Sequence, residues 1–300
     1  MLDLRQGRRP PVHTLVDVSG IPELISLEVR GAEIYIGAAV PHSQIINSPL
    51  VHQHARALAE ACDLIGGPQV RNVATLGGNV AHALPAADGA IAMLALDAYA
   101  VVASLNPMHS TEAYNKTPFV VGALAPQSAD ALPTDRGAPH NAETQNMSRA
   151  AEVIVVRVPL LDLYLGPGKT ALKTGQLLVG FCLPLTRRGQ GSAFTRVMRA
   201  QGVALPVLNL AVGLRREQAI IADLRIAIGP AGPVPLRAQA AEAALRGRPP
   251  TPESITASEI ALLAEAYFRT SPQRATATYR QHLAGKLLAE AVYKAWERAG

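Results

Sequence analysis

The stretch from Arg71 to Asp88 (RNVATLGGNVAHALPAAD) holds residue types that could bind a phosphorylated ligand. Its glycine pair, Gly77 and Gly78, lacks Cβ atoms, so the backbone can take positive φ and a ligand can approach closely. Consecutive amide N–H groups in such a turn can converge on one anion, which in a cofactor is usually a diphosphate. Asp88, nine positions after Asn79, would then accept hydrogen bonds from sugar-like hydroxyl groups. A tight turn without a ligand is the alternative interpretation.

Other polar residues have structural interpretations beside the functional ones. Asp88 opens a helical run, so its carboxylate could instead cap a helix N-terminus. His42 and His82 are interpreted as structural polar residues before they are acid–base catalysts. Cys62 and Cys182 lie far apart in apolar surroundings and form no CxxC pattern, which predicts buried free thiols. We therefore predict no catalytic nucleophile and no metal site.

Composition and charge exclude several classes of protein. With 49% hydrophobic and 17% charged residues, the 300-residue chain is typical of a soluble globular protein with one large or two medium domains. The net charge of +5 is scattered, and no aromatic-interleaved basic patch indicates a nucleic-acid partner. Arg and Pro interrupt the N-terminus before a signal peptide could form. The most apolar stretch, Ala90 to Ala103, contains Asp97 and is too short to span a membrane. We predict a cytoplasmic protein without membrane contact.

Hydrophobic periodicity predicts an α+β chain. In the first half, strands are predicted at residues 14–18, 34–36, 98–103, 153–158 and 177–183, and helices at 41–46, 50–64 and 88–96. In the second half, three strands (193–198, 205–214 and 220–228) precede three helices (236–245, 255–268 and 274–296). Residues 106–149 are rich in Pro, Ala, Ser and Asn without periodicity, which predicts a surface insertion at about 105–152. The insertion could be a solvated loop or a loop that contacts a partner, and both interpretations stay open.

The segment GPGKT (Gly166 to Thr170) invites comparison with a phosphate-binding P-loop. That motif requires a second glycine five residues before Gly168, and Leu163 occupies this position. Gly175 also follows too soon for a long helix. We therefore reject nucleotide hydrolysis.

The glycine-pair string resembles the second flavin-binding motif of the FAD-binding medium subunits of molybdenum hydroxylases, the family of carbon monoxide and xanthine dehydrogenase flavoproteins. Four further segments resemble this family in the same order. They are LVDVSGIPEL (15–24), IYIGAAVPHSQI (34–45), LGPGKTALKTGQLLVGFCLP (165–184) and SPQRATATYRQHLAGKLL (271–288). The resemblance implies a PCMH-type FAD-binding domain at 1–185, and a carbon monoxide dehydrogenase flavoprotein-like C-terminal domain with a three-stranded sheet and helices at 191–298.

The resemblance also implies roles for individual residues. The amides and side chains of five consecutive residues would hold the FAD diphosphate and ribityl chain, namely Thr75, Leu76, Gly77, Gly78 and Asn79. Asp88 matches a position whose carboxylate bonds flavin-side hydroxyls. Leu178 would lie against the flavin, and Arg196, in preference to Thr195, would approach the ring. Ile65 stands where some relatives place an aromatic residue. Plain core packing is the alternative for Leu178 and Ile65.

By the same resemblance, the chain would pass electrons from 2Fe–2S clusters on a small subunit to an external acceptor. Substrate would react on a separate molybdenum-containing large subunit. The family's first flavin loop, glycine-rich and similar to AGGTD, would precede the segment like Met1–Gly7. Either Met1 is a wrong or internal start, or the chain lacks that half of the site. Losing half of the diphosphate donors would weaken binding by several kcal/mol. Two alternatives stay open: a flavin-free scaffold that docks the large and small subunits, and a stand-alone flavoenzyme like the enolpyruvate reductases.

Overall fold

The computed structural model describes residue 14 and residues 16–105, 153–199 and 205–300. Two antiparallel sheets, each with its own helices, make up this part of the chain, which confirms the predicted α+β class. The predicted insertion, apart from Leu105, and the segment like Met1–Gly7 lie outside the described residues. The predicted domain limits, 1–185 and 191–298, stay predictions.

The first sheet has five strands in the order β1-β2-β7-β3-β4, and each neighbouring pair is antiparallel. These strands are β1 (Leu27–Arg30), β2 (Glu33–Gly37), β3 (Tyr99–Leu105), β4 (Val153–Pro159) and β7 (Gln176–Pro184). β3 and β4 form a hairpin in which Leu105 is paired with Val153. The strand predicted at 14–18 is absent from its described residues, because Asp17 accepts hydrogen bonds from the amide and hydroxyl of Ser19 and forms a turn there.

Within the described ranges, seven short helices accompany this sheet. They are α1 (Pro22–Ile25), α2 (His42–Ile46), α3 (Pro49–His54), α4 (Arg56–Asp63), α5 (Pro68–Arg71), α6 (Leu76–Ala81) and α7 (Asp88–Ala95). The single helix predicted at 50–64 is wrong, since Ala55 leaves the helical region with φ −141 and ψ 49. The hydroxyl of Thr186 donates to the His54 carbonyl at 2.5 Å and so replaces a helical hydrogen bond at the break.

The segment GPGKT forms the tip of a small hairpin. A 3-10 turn (Leu160–Leu163) leads into β5 (Tyr164–Gly166), which pairs with β6 (Lys169–Thr170). Gly168 has a φ of +71, a conformation that glycine adopts without strain. No helix follows this turn before β7, so the rejection of a P-loop is confirmed.

The second sheet has four strands in the order β11-β10-β9-β8. They are β8 (Gln190–Met198), β9 (Pro206–Glu217), β10 (Ile220–Gly229) and β11 (Leu236–Arg237). The prediction of three strands missed β11, because Leu236 and Arg237 pair with Ile228 and Ala227 instead of starting the next helix. That helix is α8 (Gln239–Leu245), and α9 (Pro252–Glu265) and α10 (Ala277–Arg298) follow it.

The two halves pack against each other through apolar and polar contacts. α10 packs on β8 and β9, whereas α4 and α7 of the first half also contact the second sheet. Arg298 donates to the Glu60 carboxylate at 2.6 Å and to the Ser192 carbonyl at 2.7 Å. The amide of Phe194 donates to the same carboxylate at 3.0 Å. These bonds fix the first sheet's helices against the second sheet.

Candidate functional site

A cavity of about 1180 Å³ lies between the two halves of the described chain. The first half contributes the end of α5, the glycine-pair turn and the segment that leads into α7. The second half contributes the start of β9, the turn after β10 and the segment before α10. Most of the wall is apolar, and the polar side chains that line it are His42, Thr75, Asn79, His82, Asp88, Tyr267, Arg269, Ser271, Arg274 and Arg280. A large, mostly apolar cavity with few polar groups is typical of a cofactor site.

The glycine pair lies in the first turn of α6, and neither glycine has a positive φ. Gly77 is needed for packing, because a Cβ there would lie 2.5 Å from the Ala38 carbonyl oxygen. The amides of Leu76 and Gly77 donate to the carbonyls of Val40 and Ala38 at 3.1 and 2.9 Å. The prediction that these two amides bind a diphosphate is therefore wrong in this structure, since both are already bonded within the protein.

The neighbouring residues of the same turn do face the cavity. Thr75, Gly78 and Asn79 line it. The Thr75 hydroxyl caps α6 by accepting from the Gly78 amide at 3.1 Å. The Asn79 Oδ1 accepts from the Ala90 amide at 3.3 Å, and no described residue accepts from its Nδ2. Asn79 is thus held at its acceptor end while its donor end stays available for a ligand.

Asp88 is the first residue of α7 and forms a buried polar cluster with two residues of the second sheet. Its carboxylate accepts from Arg196 Nη1 and from Asn209 Nδ2, each at 2.6 Å. The capping alternative is wrong, because the N-cap is Ala87 and receives no side-chain hydrogen bond. Burial raises the pKa of Asp88 to about 6, while Arg196 and Asn209 act in the opposite direction. The carboxylate is therefore ionised at pH 7 and neutralises Arg196.

Arg196 and Leu178 do not line the cavity. The Arg196 side chain is 2% exposed and is taken up by its ion pair with Asp88. In this structure Arg196 holds the Asp88 carboxylate, and its predicted approach to a flavin ring stays a prediction. Leu178, on β7, is buried within the core of the first half, so core packing describes it. Ile65 does line the cavity, as does His82, which the sequence placed near the turn.

His42 is a buried histidine at the cavity wall. It starts α2, its side chain is almost fully enclosed, and its Nδ1 has no hydrogen-bond partner among the described residues. Burial and the nearby charge of Arg71 lower the pKa of His42 to about 4. The imidazole is therefore neutral at pH 7, which agrees with the predicted structural role.

The sequence interpretation missed four cavity residues of the second half. Tyr267, Arg269, Arg274 and Arg280 all line the cavity, and Tyr267 is 72% exposed. One signal could have found them. Three arginines occur between positions 269 and 280 with no Asp or Glu among them. Such a local excess of positive charge is typical of an anion-binding segment.

Both halves of the chain match known domain families. Residues 1–118 match the family described as FAD binding domain in molybdopterin dehydrogenase. Residues 192–295 match the CO dehydrogenase flavoprotein C-terminal domain. These two domains in this order define a flavin-binding subunit. The chain belongs to the family of FAD-binding medium subunits of molybdenum hydroxylases, as the resemblance of its motifs predicted.

Individual relatives agree over nearly the whole chain. It is 26% identical over 298 residues to the carbon monoxide dehydrogenase medium chain of Hydrogenophaga pseudoflava, covering 99% of this chain and 86% of the relative. It is 27% identical over 289 residues to the xanthine dehydrogenase FAD-binding subunit of Escherichia coli O157:H7, covering 95% and 82%. A solved structure of the Hydrogenophaga pseudoflava enzyme aligns with a TM-score of 0.78 at 27% identity, covering 100% and 87%. The relatives are thus subunits of dehydrogenases.

The residues of the cavity fit FAD, the cofactor of this family. The volume suffices for a large ligand, and apolar residues such as Ile65, Val70 and Leu84 suit an aromatic ring system. Asn79 and Thr75 present polar side chains to the same space. Two buried polar atoms at the wall, His42 Nδ1 and Arg280 Nε, have no partner within the described chain. A ligand with hydrogen-bonding groups would satisfy them.

The described residues lack the features of two other kinds of site. No helix within these ranges is both long and apolar enough to cross a bilayer. Among the same residues, no three His, Cys, Asp or Glu side chains are grouped so that they could hold a metal ion. Cys62 and Cys182 are both free thiols, of which Cys62 is buried and Cys182 half-buried.

Proposed function

We propose that this chain is the electron-transferring flavoprotein subunit of a molybdenum hydroxylase complex. In this role it receives electrons from 2Fe–2S clusters on a small subunit and delivers them to an external acceptor. A molybdenum-containing large subunit carries out the substrate reaction. FAD, when bound, supplies the redox chemistry, and the protein supplies binding and orientation. The observation that carries the proposal is the large cavity between the two halves of the described chain, both of which match flavoprotein families.

The chain's own residues would divide the work as follows. Thr75, Gly78 and Asn79 would contact the cofactor from the glycine-pair turn, with the Asn79 Nδ2 as a donor. Leu76 and Gly77 position that turn against the first sheet through their amide bonds. Asp88 lines the cavity, and Arg196 keeps its carboxylate in place.

The cofactor part of the proposal is tested by Asn79→Asp. Aspartate keeps an oxygen for the Ala90 amide, replaces the donor by an acceptor and adds a negative charge. We expect FAD affinity to fall at least about tenfold, since a hydrogen bond to a charged group contributes roughly 1.5–3 kcal/mol. Titration of the purified chain with FAD, followed by flavin fluorescence, measures this loss. Asn72→Asp makes the same change in an exposed turn that does not line the cavity, and it should leave the affinity unchanged.

The electron-transfer part requires the assembled complex. A tagged full-length chain would be isolated with its bound subunits from the source cells, reduced with dithionite and mixed with an oxidising dye. We expect bleaching of both cluster and flavin absorbance, and slow dye reduction when the chain carries Asn79→Asp. A complex that assembles, contains no flavin and takes up none from solution would instead establish the flavin-free scaffold. A chain that copurifies with no cluster-containing subunit would refute electron transfer between subunits.

A further inference from the structure

Three arginines line one end of the cavity, and we call Arg269, Arg274 and Arg280 the arginine cluster. Arg280 is only 1% exposed, and its Nε has no hydrogen-bond partner among the described residues. Within the same residues, none of the three forms an ion pair with a carboxylate. Burial and the like charges of Arg274 and Arg269 lower the pKa of Arg280. An arginine remains protonated in spite of this, and no carboxylate of the described residues compensates its positive charge.

Two other arginines with low exposure differ from Arg280 in that each is paired with a buried carboxylate. Arg196, 2% exposed, is paired with Asp88, and Arg237, 20% exposed, is paired with the buried Glu242. A buried charge without a partner is strongly unfavourable, which is why such pairs are the rule. Arg280 departs from this rule at a wall that opens onto a large cavity. The missing negative charge is thus expected from a molecule inside that cavity.

The local backbone holds the arginine cluster in a fixed frame. Ser271 and Ala275 exchange two backbone hydrogen bonds at 2.9 and 3.0 Å, which closes the loop that carries Arg274. The Thr276 hydroxyl caps α10 by accepting from the Tyr279 amide at 3.2 Å, so Arg280 projects from the helix's first turns. The positive end of the dipole of this 22-residue helix adds to the charge of the cluster. An anion here would meet preorganised donors.

The rest of the cavity supplies no competing acid. Asp88 is the one carboxylate that lines it within the described chain, and its charge is neutralised by Arg196. Guanidinium groups match phosphate oxygens in a planar, two-pronged geometry. We propose that the arginine cluster is a binding site for the phosphate or diphosphate group of a small molecule that occupies the cavity. The site rests on the proposed function, because it shares the cavity assigned to FAD.

Two molecules could bring this group: FAD itself, through its diphosphate, or a second phosphorylated ligand beside the flavin. The test uses inorganic diphosphate as the probe and the full chain, with and without FAD, in a calorimetric titration. Arg269→Gln/Arg274→Gln removes the two exposed members, and Arg280→Gln removes the buried one. Arg187→Gln/Arg188→Gln is the matched control, since it makes the same charge change at exposed residues away from the cavity.

We expect diphosphate to bind the wild-type chain and to bind the Arg269→Gln/Arg274→Gln variant about 100-fold more weakly, as expected for two charged hydrogen-bonding groups. The Arg187→Gln/Arg188→Gln control should stay within about twofold of the wild type, the usual change for substitutions outside a site. The Arg280→Gln variant should also bind weakly, and its circular dichroism spectrum reports whether it folds. If Arg280→Gln does not fold, the double variant of the exposed arginines decides the matter alone.

Competition between FAD and diphosphate shows which molecule brings the phosphate group. If the FAD-loaded chain still binds diphosphate and the variants keep their FAD affinity, the arginine cluster takes a second phosphorylated molecule. If FAD displaces diphosphate and the variants lose affinity for FAD but not for riboflavin, the cluster holds the FAD diphosphate. Both results support the site. Absence of diphosphate binding to the wild-type chain, or equal affinity in the wild type and the variants, would overturn it. FAD binding without diphosphate binding refutes this inference alone, whereas diphosphate binding without FAD binding refutes only the proposed cofactor role.

Discussion

The buried ion pair between Arg196 and Asp88 offers a direct test of how the two halves are joined. The two side chains are 2% and 5% exposed, their charged atoms are 2.6 Å apart, and they come from β8 and α7. Arg196→Met removes the cation and leaves the Asp88 carboxylate buried with only Asn209 as a donor. Removing one partner of a buried pair costs about 3–5 kcal/mol. The equilibrium constant for unfolding should thus rise by about two to four orders of magnitude.

The sign of the pH dependence adds a second check. The pKa of Asp88 is raised from 3.8 to about 6 in the folded chain, so the folded state favours the protonated form. The contribution of this group to stability is thus greatest below pH 3.8 and is lost as the pH rises through about 6. Without Arg196 the pKa rises further. The free energy of unfolding that Arg196→Met loses relative to the wild type should therefore be larger at pH 8 than at pH 5.

Urea unfolding of the purified chain, followed by circular dichroism at both pH values, measures these differences. Arg30→Met is the matched control, because the charged atoms of Arg30 and Glu28 are 2.7 Å apart but the two side chains are 46% and 52% exposed. An exposed pair contributes at most about 1 kcal/mol. If Arg196→Met costs no more than Arg30→Met, or if its deficit is independent of pH, the reasoning about this buried pair is refuted.

Three further predictions follow from other contacts of the described chain. Gly77→Ala should destabilise the chain by about 1–3 kcal/mol, because the new Cβ would meet the Ala38 backbone at 2.5 Å; Gly20→Ala, with no atom within 4 Å, is the control, and equal urea midpoints would contradict the close contact. The wild type should lose about 3 kcal/mol of folding stability as the pH falls from about 6.5 to about 4, because the pKa of His42 is lowered in the folded chain and the unfolded chain takes up the proton first. His42→Gln should abolish this loss. If the melting temperature of the variant depends on pH as that of the wild type does, the prediction is ruled out. Glu242→Leu should cost about 3–5 kcal/mol, because Glu242 is the buried partner of Arg237 and accepts from the Ile226 amide at 2.9 Å; a denaturation midpoint like that of exposed Glu290→Leu would contradict it.

The sequence predicted those elements whose cause is local. Alternating or continuous apolar residues located the strands that became β7, β9 and β10, and Asp88 correctly marked the start of α7. The strand β11 and the break at Ala55 were missed, because both depend on hydrogen bonds to residues distant in sequence or to another element. Local periodicity carries no information about such partners.

In the candidate site, too, the sequence predicted only what depends on neighbouring residues. The glycine pair was recognised, but its physical reason was misjudged, since the amides of Leu76 and Gly77 serve the contact with β2's end rather than a ligand. The bond of Asp88 to Arg196 joins residues 108 positions apart, which no spacing rule could indicate. Arg274 and Arg280 of the arginine cluster lay within a segment already noted for its family resemblance, and Arg269 lies two residues before it. The common wall of this cluster and the glycine-pair turn became visible only in three dimensions.

The pairing of Leu105 with Val153 has a consequence for how this chain can vary. The two strands that flank residues 106–152 are antiparallel neighbours, so their ends meet regardless of how many residues join them. Closing a loop about ten times longer than a tight turn costs only about 2 kcal/mol, because the entropy grows with the logarithm of length. Evolution can therefore lengthen or shorten this connection without rebuilding the sheet. For the same reason, the hairpin is a suitable place to insert a reporter domain while the cavity keeps its walls.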